Sequence, residues 1–222
     1  MRQYNGFSMI ELVFVIVVIG ILASASIPQL NRDLRQEAIS SSIVSSLRQT
    51  QQLALNDSKH DFNDPQWQKS YWKWRYTVCK KGDIFYIVTS NTDNRTNADR
   101  EESAIDPSNY KYIYQSNYIC REDAKENILD SPKVLITKRF AITSIDSKGG
   151  CDGFQHVAFD NLGRPHSGID GYSQPDYRFL LKDDCSFTFN FEKDGFFTSD
   201  IKPFTIIIEA ITGRVSIERK ND

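Results

Sequence analysis

The chain has 222 residues, enough for one sizeable domain with an appendage, and 27 basic against 29 acidic residues leave a formal net charge of −2. That balance excludes a global electrostatic pull towards nucleic acid or anionic lipid, although it leaves room for a local basic patch. Hydrophobic residues make up 40% of the chain but are unevenly placed: one nearly continuous block fills the first 30 residues, and the rest is polar with scattered aromatics.

From Phe7 to Ile27 the sequence is apolar except for Ser8, Glu11, Ser24 and Ser26. As an α-helix this run spans about 31 Å, one hydrocarbon thickness. Pro28 follows, and the pattern changes without stopping. Leu30, Leu34, Ile39, Ile43, Leu47 and Ala54 recur at helical spacings among polar neighbours. The spacing predicts one long helix to about Leu55 or Asn56, apolar all round in its first half and one-sided in its second. Pro28 would kink it rather than end it. Beyond "NDSKHDFNDPQ" the texture is strand and turn. "YWKWRYTVC", "KKGD" and "IFYIVTS" read as a hairpin, and residues 91–109 as a long solvated loop. "YKYIYQSNYIC" reads as a strand, "REDAKENILDS" as a short helix and "KVLITKRFAITSI" as a strand. "FQHVAFDNLGRP" reads as a strand entering a tight turn, and "YRFLLKDDCSFTFNF" and "FTIIIEAITGRVSIER" as hairpins. The expected fold class is α+β: a long N-terminal helix packed on a mainly antiparallel sheet.

The four cysteines, Cys79, Cys120, Cys151 and Cys185, form no C-x-x-C pair and match no zinc module. Behind an export-type N-terminus they suggest two disulfides in an oxidising compartment. Three pairings are open. The sequential one, Cys79–Cys120 with Cys151–Cys185, is favoured because each bond closes a local loop.

Glu11 is the residue that needs explaining. A carboxylate within a membrane span costs roughly 2.5 kcal/mol or more on insertion scales. A plain anchor gives no reason for it. A cleaved secretory signal finds an A-x-A site in Ala23-Ser24-Ala25, but Arg2 is the only basic residue ahead of the apolar run, and the amphipathic helix starts directly after the supposed cut. Gly6-Phe7-Ser8-Met9-Ile10-Glu11 resembles the type IV prepilin processing motif: a glycine, then phenylalanine, then glutamate four residues on. The resemblance implies cleavage by prepilin peptidase between Gly6 and Phe7, methylation of the new Phe7 N-terminus, an assembly role for Glu11, and a helix-kinking role for Pro28. It divides the chain into a leader (1–6), a transmembrane helix (7–28), an amphipathic helix (29–56) and a periplasmic β-rich domain (57–222). A Phe7 ammonium of one subunit beside Glu11 of its neighbour would turn an isolated charge into half of an ion pair, which is stronger in low dielectric than in water.

"VAFDNLGRPHSG" (157–168) and "FTIIIEAITGRVSIER" (204–219) resemble, more loosely, the C-terminal region of the GspH/FimT branch of minor pilins and pseudopilins. This implies a minor subunit of a type II secretion system or type IV pilus, in the inner membrane until it is assembled, and not an enzyme. Its partners would be other pilin or pseudopilin subunits, prepilin peptidase and the inner-membrane assembly platform. A FimT-like role in DNA uptake or adhesion is the alternative, with Arg164, Arg214, Arg219 and Lys220 as candidate DNA contacts. A membrane-anchored periplasmic binding domain unrelated to filaments is a second alternative. Asp152, Asp160, Asp183 and Asp184 could build a calcium site, although turns favour Asp anyway; no other cofactor is expected. His60, His156 and His166 show no catalytic or metal-ligand spacing. Trp67, Trp72 and Trp74, with Tyr71 and Tyr76, read as core under the long helix rather than as an exposed contact patch.

Overall fold

A computed structural model of the chain describes residues 9–93, 97–169, 179–191 and 201–218, without the side chains of 23–33. Its first element is a single helix, α1 (Met9–Asn56). The backbone stays helical through Pro28, and the C-terminal boundary falls where the apolar periodicity ends. Just past it, the Asp57 carboxylate accepts from Trp72 Nε1 at 2.9 Å and pairs with Lys59, fixing the chain's exit onto the sheet.

The described strands form two antiparallel four-stranded sheets rather than one. The first has the order β2-β1-β4-β5, from β1 (Trp72–Val78), β2 (Ile84–Thr89), β4 (His156–Phe159) and β5 (Pro165–His166). The second has the order β3-β6-β7-β8, from β3 (Ile142–Gly149), β6 (Cys185–Phe191), β7 (Phe204–Ile208) and β8 (Val215–Glu218). The α+β fold of the sequence reading is what the chain adopts, with the second half of α1 packed against β1 and β4 of one sheet and β7 and β8 of the other. Ile39, Ile43, Val44 and Leu47 face a core that also holds Trp74, Phe187, Phe189 and Ile206. Trp74 and Phe187, with ring centroids 5.7 Å apart, join the two sheets, and Trp74 Nε1 donates to Ser46 Oγ of α1 at 3.0 Å. The alternation in β6, where Cys185, Phe187, Phe189 and Phe191 are buried and the intervening residues half-buried, is the period-2 pattern of a strand with one face on a core.

The hairpins β1–β2 and β7–β8 follow the sequence reading. Three other segments do not. Residues 110–120 make isolated bridges and a 3-10 turn, Asn117–Cys120, instead of a strand. Tyr110 turns the chain with φ 56, and Cys120 is bonded to Cys79. "REDAKENILDS" forms turns rather than a helix: the Asn127 carbonyl oxygen accepts from Leu129 N, a side chain–backbone bond that competes with helix. "KVLITKRF" leads through a 3-10 turn, Pro132–Val134, into a short helix, α2 (Ile136–Phe140), and only the following residues form β3. Ser131 caps that turn, Pro132 pre-sets its φ, and Ala141 closes α2 at φ 57. These start and stop signals override the β-branched composition. In "YRFLLKDDCSFTFNF" the described second arm is β6, while Leu180 makes an isolated bridge to His166 and Tyr177 and Arg178 lie outside the described residues.

The disulfides join Cys79 to Cys120 and Cys151 to Cys185, with Cα separations of 5.2 and 5.0 Å, inside the normal range. The first ties the β1–β2 turn to the excursion between β2 and α2. That excursion runs along β2: Val88 N donates to Ile113 O, and Ala104 N donates to Val88 O. The free edge of β2 is thereby covered. Arg100 Nε to Asp130 Oδ1 at 2.6 Å, and Ser131 Oγ to Asp106 Oδ2 at 2.8 Å, brace it internally.

Candidate functional site

From Met9 to Leu22 every large apolar side chain is exposed, from 37% at Val18 to 87% at Met9. Among the described residues, nothing in the head covers this sleeve of side chains. Glu11 is also exposed and stands among these apolar side chains of α1. Gly6 and Phe7, the expected cleavage and methylation positions, lie outside the described residues. Among the described residues no helix is long and apolar enough to cross a membrane; the span read from the sequence, 7–28, begins before them, and its residues 23–28 are described in backbone only.

The second half of α1 holds the head through polar side chains as well as its apolar stripe. Gln36 Nε2 donates to Lys202 O at 2.8 Å, and an Arg48 guanidinium nitrogen donates to Val215 O at 2.9 Å. Gln51 Nε2 donates both to Gly163 O at 2.9 Å and to Thr212 O at 3.1 Å. The two stretches singled out in the sequence, 157–168 and 204–219, thus meet on one amide of the helix. They meet closely: a Cβ on Gly213, at φ +67, would sit 2.2 Å from Gly163 O, so this turn admits no side chain.

Of the candidate DNA contacts, the two described residues are each ion-paired to a carboxylate. Arg164 Nε lies 2.7 Å from Asp160 Oδ2, and Arg214 is ion-paired with Glu209. Arg219 and Lys220 lie outside the described residues. Asp160, one of the four aspartates considered for calcium, also accepts from Leu162 N and lies 3.2 Å from His166 Nε2. Burial pushes its carboxyl up, but the hydrogen bonds from His166 and Arg164 outweigh this and hold it below the usual carboxylate range. Asp184 Oδ1 accepts from Ala210 N. Among the described residues no group of three or more His, Cys, Asp or Glu side chains could hold a metal ion.

Trp74 and Tyr76 are buried under α1 in the main core, while Trp67 and Tyr71 form a smaller cluster with Ala158 and Ile169. Trp72 is half-buried against the main core.

One feature went unread in the sequence. On the face of β1–β2 opposite α1 lies a cavity of about 550 Å³ lined by Lys69, Lys73 and Arg75. Its floor is the cross-strand pairs Lys73–Thr89, Arg75–Ile87 and Thr77–Phe85; its walls come from 97–99 and 114–117. Lys73 is 6% exposed, and its ammonium is held down to about 7 by burial first, then by Arg75 and Lys69. Neighbouring His156 is held down to about 3, by burial and then by Arg75 and Lys73, and its neutral Nε2 accepts from Gly168 N at 3.1 Å. The only local signal was the alternation in "WKWRY", which normally marks a solvated strand face. The walls that bury it come from a different part of the chain.

Residues 1–27 match the family model described as the prokaryotic N-terminal methylation motif. No curated protein and no solved structure matches the chain. The matched segment contains Gly6, Phe7 and Glu11, and includes the exposed apolar side chains described from Met9 to Leu22. The chain therefore carries a prokaryotic N-terminal methylation motif of the prepilin type ahead of an α+β head.

Proposed function

We propose that the chain is a minor subunit, GspH/FimT-like, of a type II secretion or type IV pilus filament. In this reading it enters the inner membrane through residues 7–28 with its head in the periplasm, loses residues 1–6, and is drawn into a helical filament by the assembly platform. The observation that carries the reading is the pairing of a prepilin-type motif with a helix segment, described from Met9 to Leu22, that exposes its apolar side chains and bears Glu11. A surface of that kind needs lipid or like helices around it. Transfer from lipid to a bundle of neighbouring helices keeps it covered, and the exchange leaves Glu11 as the residue that distinguishes one register from another. A neighbour's Phe7 ammonium is the natural partner, because one unpaired charge in an apolar bundle is far more costly than a matched pair. Proximity of the 160–163 and 211–213 turns on Gln51 supports the GspH/FimT-like assignment, since the two stretches that suggested it form one structural unit.

The test is the intact mass and N-terminal sequence of the protein purified from membranes. A chain beginning at methylated Phe7 is expected. A chain beginning at Ser26, after Ala23-Ser24-Ala25, would have lost the apolar sleeve and would end the filament reading. An unprocessed chain beginning at Met1 would favour a simple anchored domain.

A further inference from the structure

At the end of α1 furthest from Met9, three segments each present one exposed aliphatic side chain. Leu55, Leu162 and Ile211 are 44, 63 and 65% exposed. Their backbones converge on Gln51, which donates to Gly163 O beside Leu162 and to Thr212 O beside Ile211. A Cβ on Gly163 would lie 3.2 Å from Leu55 Cδ2. Ile211 is the most strained of the three. Its φ is 67, a left-handed backbone that a branched β-carbon resists and that glycine or asparagine adopts with less strain. The turn enforces it: Gly213 N donates to Glu209 O at 2.9 Å, and Ala210 N donates to Asp184 Oδ1 at 2.8 Å. Packing inside the head offsets little of that strain, because the side chain is largely in solvent. A rigid turn therefore holds out an aliphatic side chain where a smaller or polar residue would fold more easily.

We infer that Leu55, Leu162 and Ile211 form a contact surface for the head of an adjacent, different pilin-type subunit, an inference that rests on the filament reading above. Other occupants fit less well. Lipid is out of reach, since Leu55 lies about 40 Å of helix beyond Pro28, where the span read from the sequence ends. The cations beside the patch, Arg164 and Arg214, are paired with Asp160 and Glu209, so each brings a carboxylate with it, which does not suit nucleic acid.

A freely diffusing protein needs more area. Stable complexes bury about 800 Å² on each partner, and three partly exposed aliphatic side chains supply only a fraction of that. A neighbour already held alongside by helix packing does not need it, because its effective concentration is high and a small apolar contact then suffices to fix its register. An apolar centre with matched charges at its rim is the usual make-up of such a contact. Subunits related by translation along one filament axis meet through unlike patches, so this patch does not face its own copy. A minor subunit has a different chain as its neighbour.

The experiment is photo-crosslinking in cells from the full chain with benzoylphenylalanine in place of Ile211, the partner being identified by mass spectrometry. The expected product joins this position to the head of another chain that carries a prepilin-type N-terminus, and it disappears in Glu11→Ala. Ile211→Gly and Leu162→Ser should each lower incorporation into filaments about fivefold or more, whereas Ile128→Ser, 81% exposed elsewhere on the head, should not. Ile211→Gly should leave the melting temperature of the head unchanged or raise it, since glycine relieves the positive φ. A fall in melting temperature would mean that Ile211 packs within its own head, and would overturn the inference. So would the absence of a crosslink, a crosslink to a second copy or to a protein without the motif, one that persists in Glu11→Ala, or an equal loss with Ile128→Ser. A chain that begins at Phe7 and enters filaments without these effects leaves the filament reading standing and removes this one. A chain that begins at Ser26 removes both.

Discussion

Residues 9–22 and 34–56 belong to one uninterrupted helix, yet the first segment exposes its large apolar side chains, whereas the second buries Ile39, Ile43, Val44, Leu47 and Ala54 and exposes only Leu34 and Leu55 among its large ones. Backbone hydrogen bonding is indifferent to this contrast; side-chain composition is not. The first segment is apolar around its whole circumference, so no single partner surface could cover it. The second is apolar on one stripe only, and the two sheets supply a surface of matching width. The lesson is that the helix divides where its pattern changes, not where its backbone does: one half packs on its own head, and the other leaves its described apolar side chains exposed.

Substitutions that act in one half and not in the other would sharpen this division. The largest effect is expected at Glu11. Glu11→Ala should reduce incorporation into filaments by about a hundredfold or more, the equivalent of about 3 kcal/mol for a buried charge left unpaired. The melting temperature of the head should not move; a shift would mean that the sleeve contributes to the head after all. Leu47→Ala should do the reverse, lowering head stability by about 2–5 kcal/mol in chemical denaturation because Leu47 is fully buried, while Ile16→Ala leaves it within experimental error. Reducing both disulfides, or replacing Cys151 and Cys185 with serine, should lower head stability by about 2–4 kcal/mol without altering processing at the N-terminus. Gly213→Ala should cost more than about 1 kcal/mol, since the new Cβ meets both a positive φ and the Gly163 carbonyl.

The smallest effect concerns acid. Asp160 has its carboxyl held below the usual range, so it binds a proton more readily when the head is unfolded. Its contribution to stability is complete above the unfolded value, about 4, and is lost as pH falls through that value towards the folded one. Asp160→Asn should therefore flatten the acid limb of the head's stability curve, measured by denaturant titration between pH 5 and pH 2.

Much of this was legible locally. The helix end at Asn56 follows from the last periodic apolar residues, and the β1–β2 and β7–β8 hairpins from β-branched runs on either side of glycine-containing turns. What escaped depended on distant partners. Residues 110–120 have the alternation of a strand, but they brace β2 through isolated bonds and a disulfide instead of a ladder. The division of eight described strands into two sheets is a matter of pairing between remote segments, and composition does not encode it. At the site, Gly6, Phe7 and Glu11 were readable because the motif is contiguous. The Lys73 cavity was not, because its walls come from 97–99 and 114–117.

The way α1 grips the head has a mechanical meaning. A pull along the helix axis reaches the head through Gln36, Arg48 and Gln51, whose acceptors lie near β7, at β8 and in two separate turns. These attachments are spread over more than four turns of helix and would resist sliding together rather than opening one after another. Load applied at the narrow end of such a molecule enters both sheets at once, and the disulfides lock the segments behind them, so the head can be towed without first being unzipped.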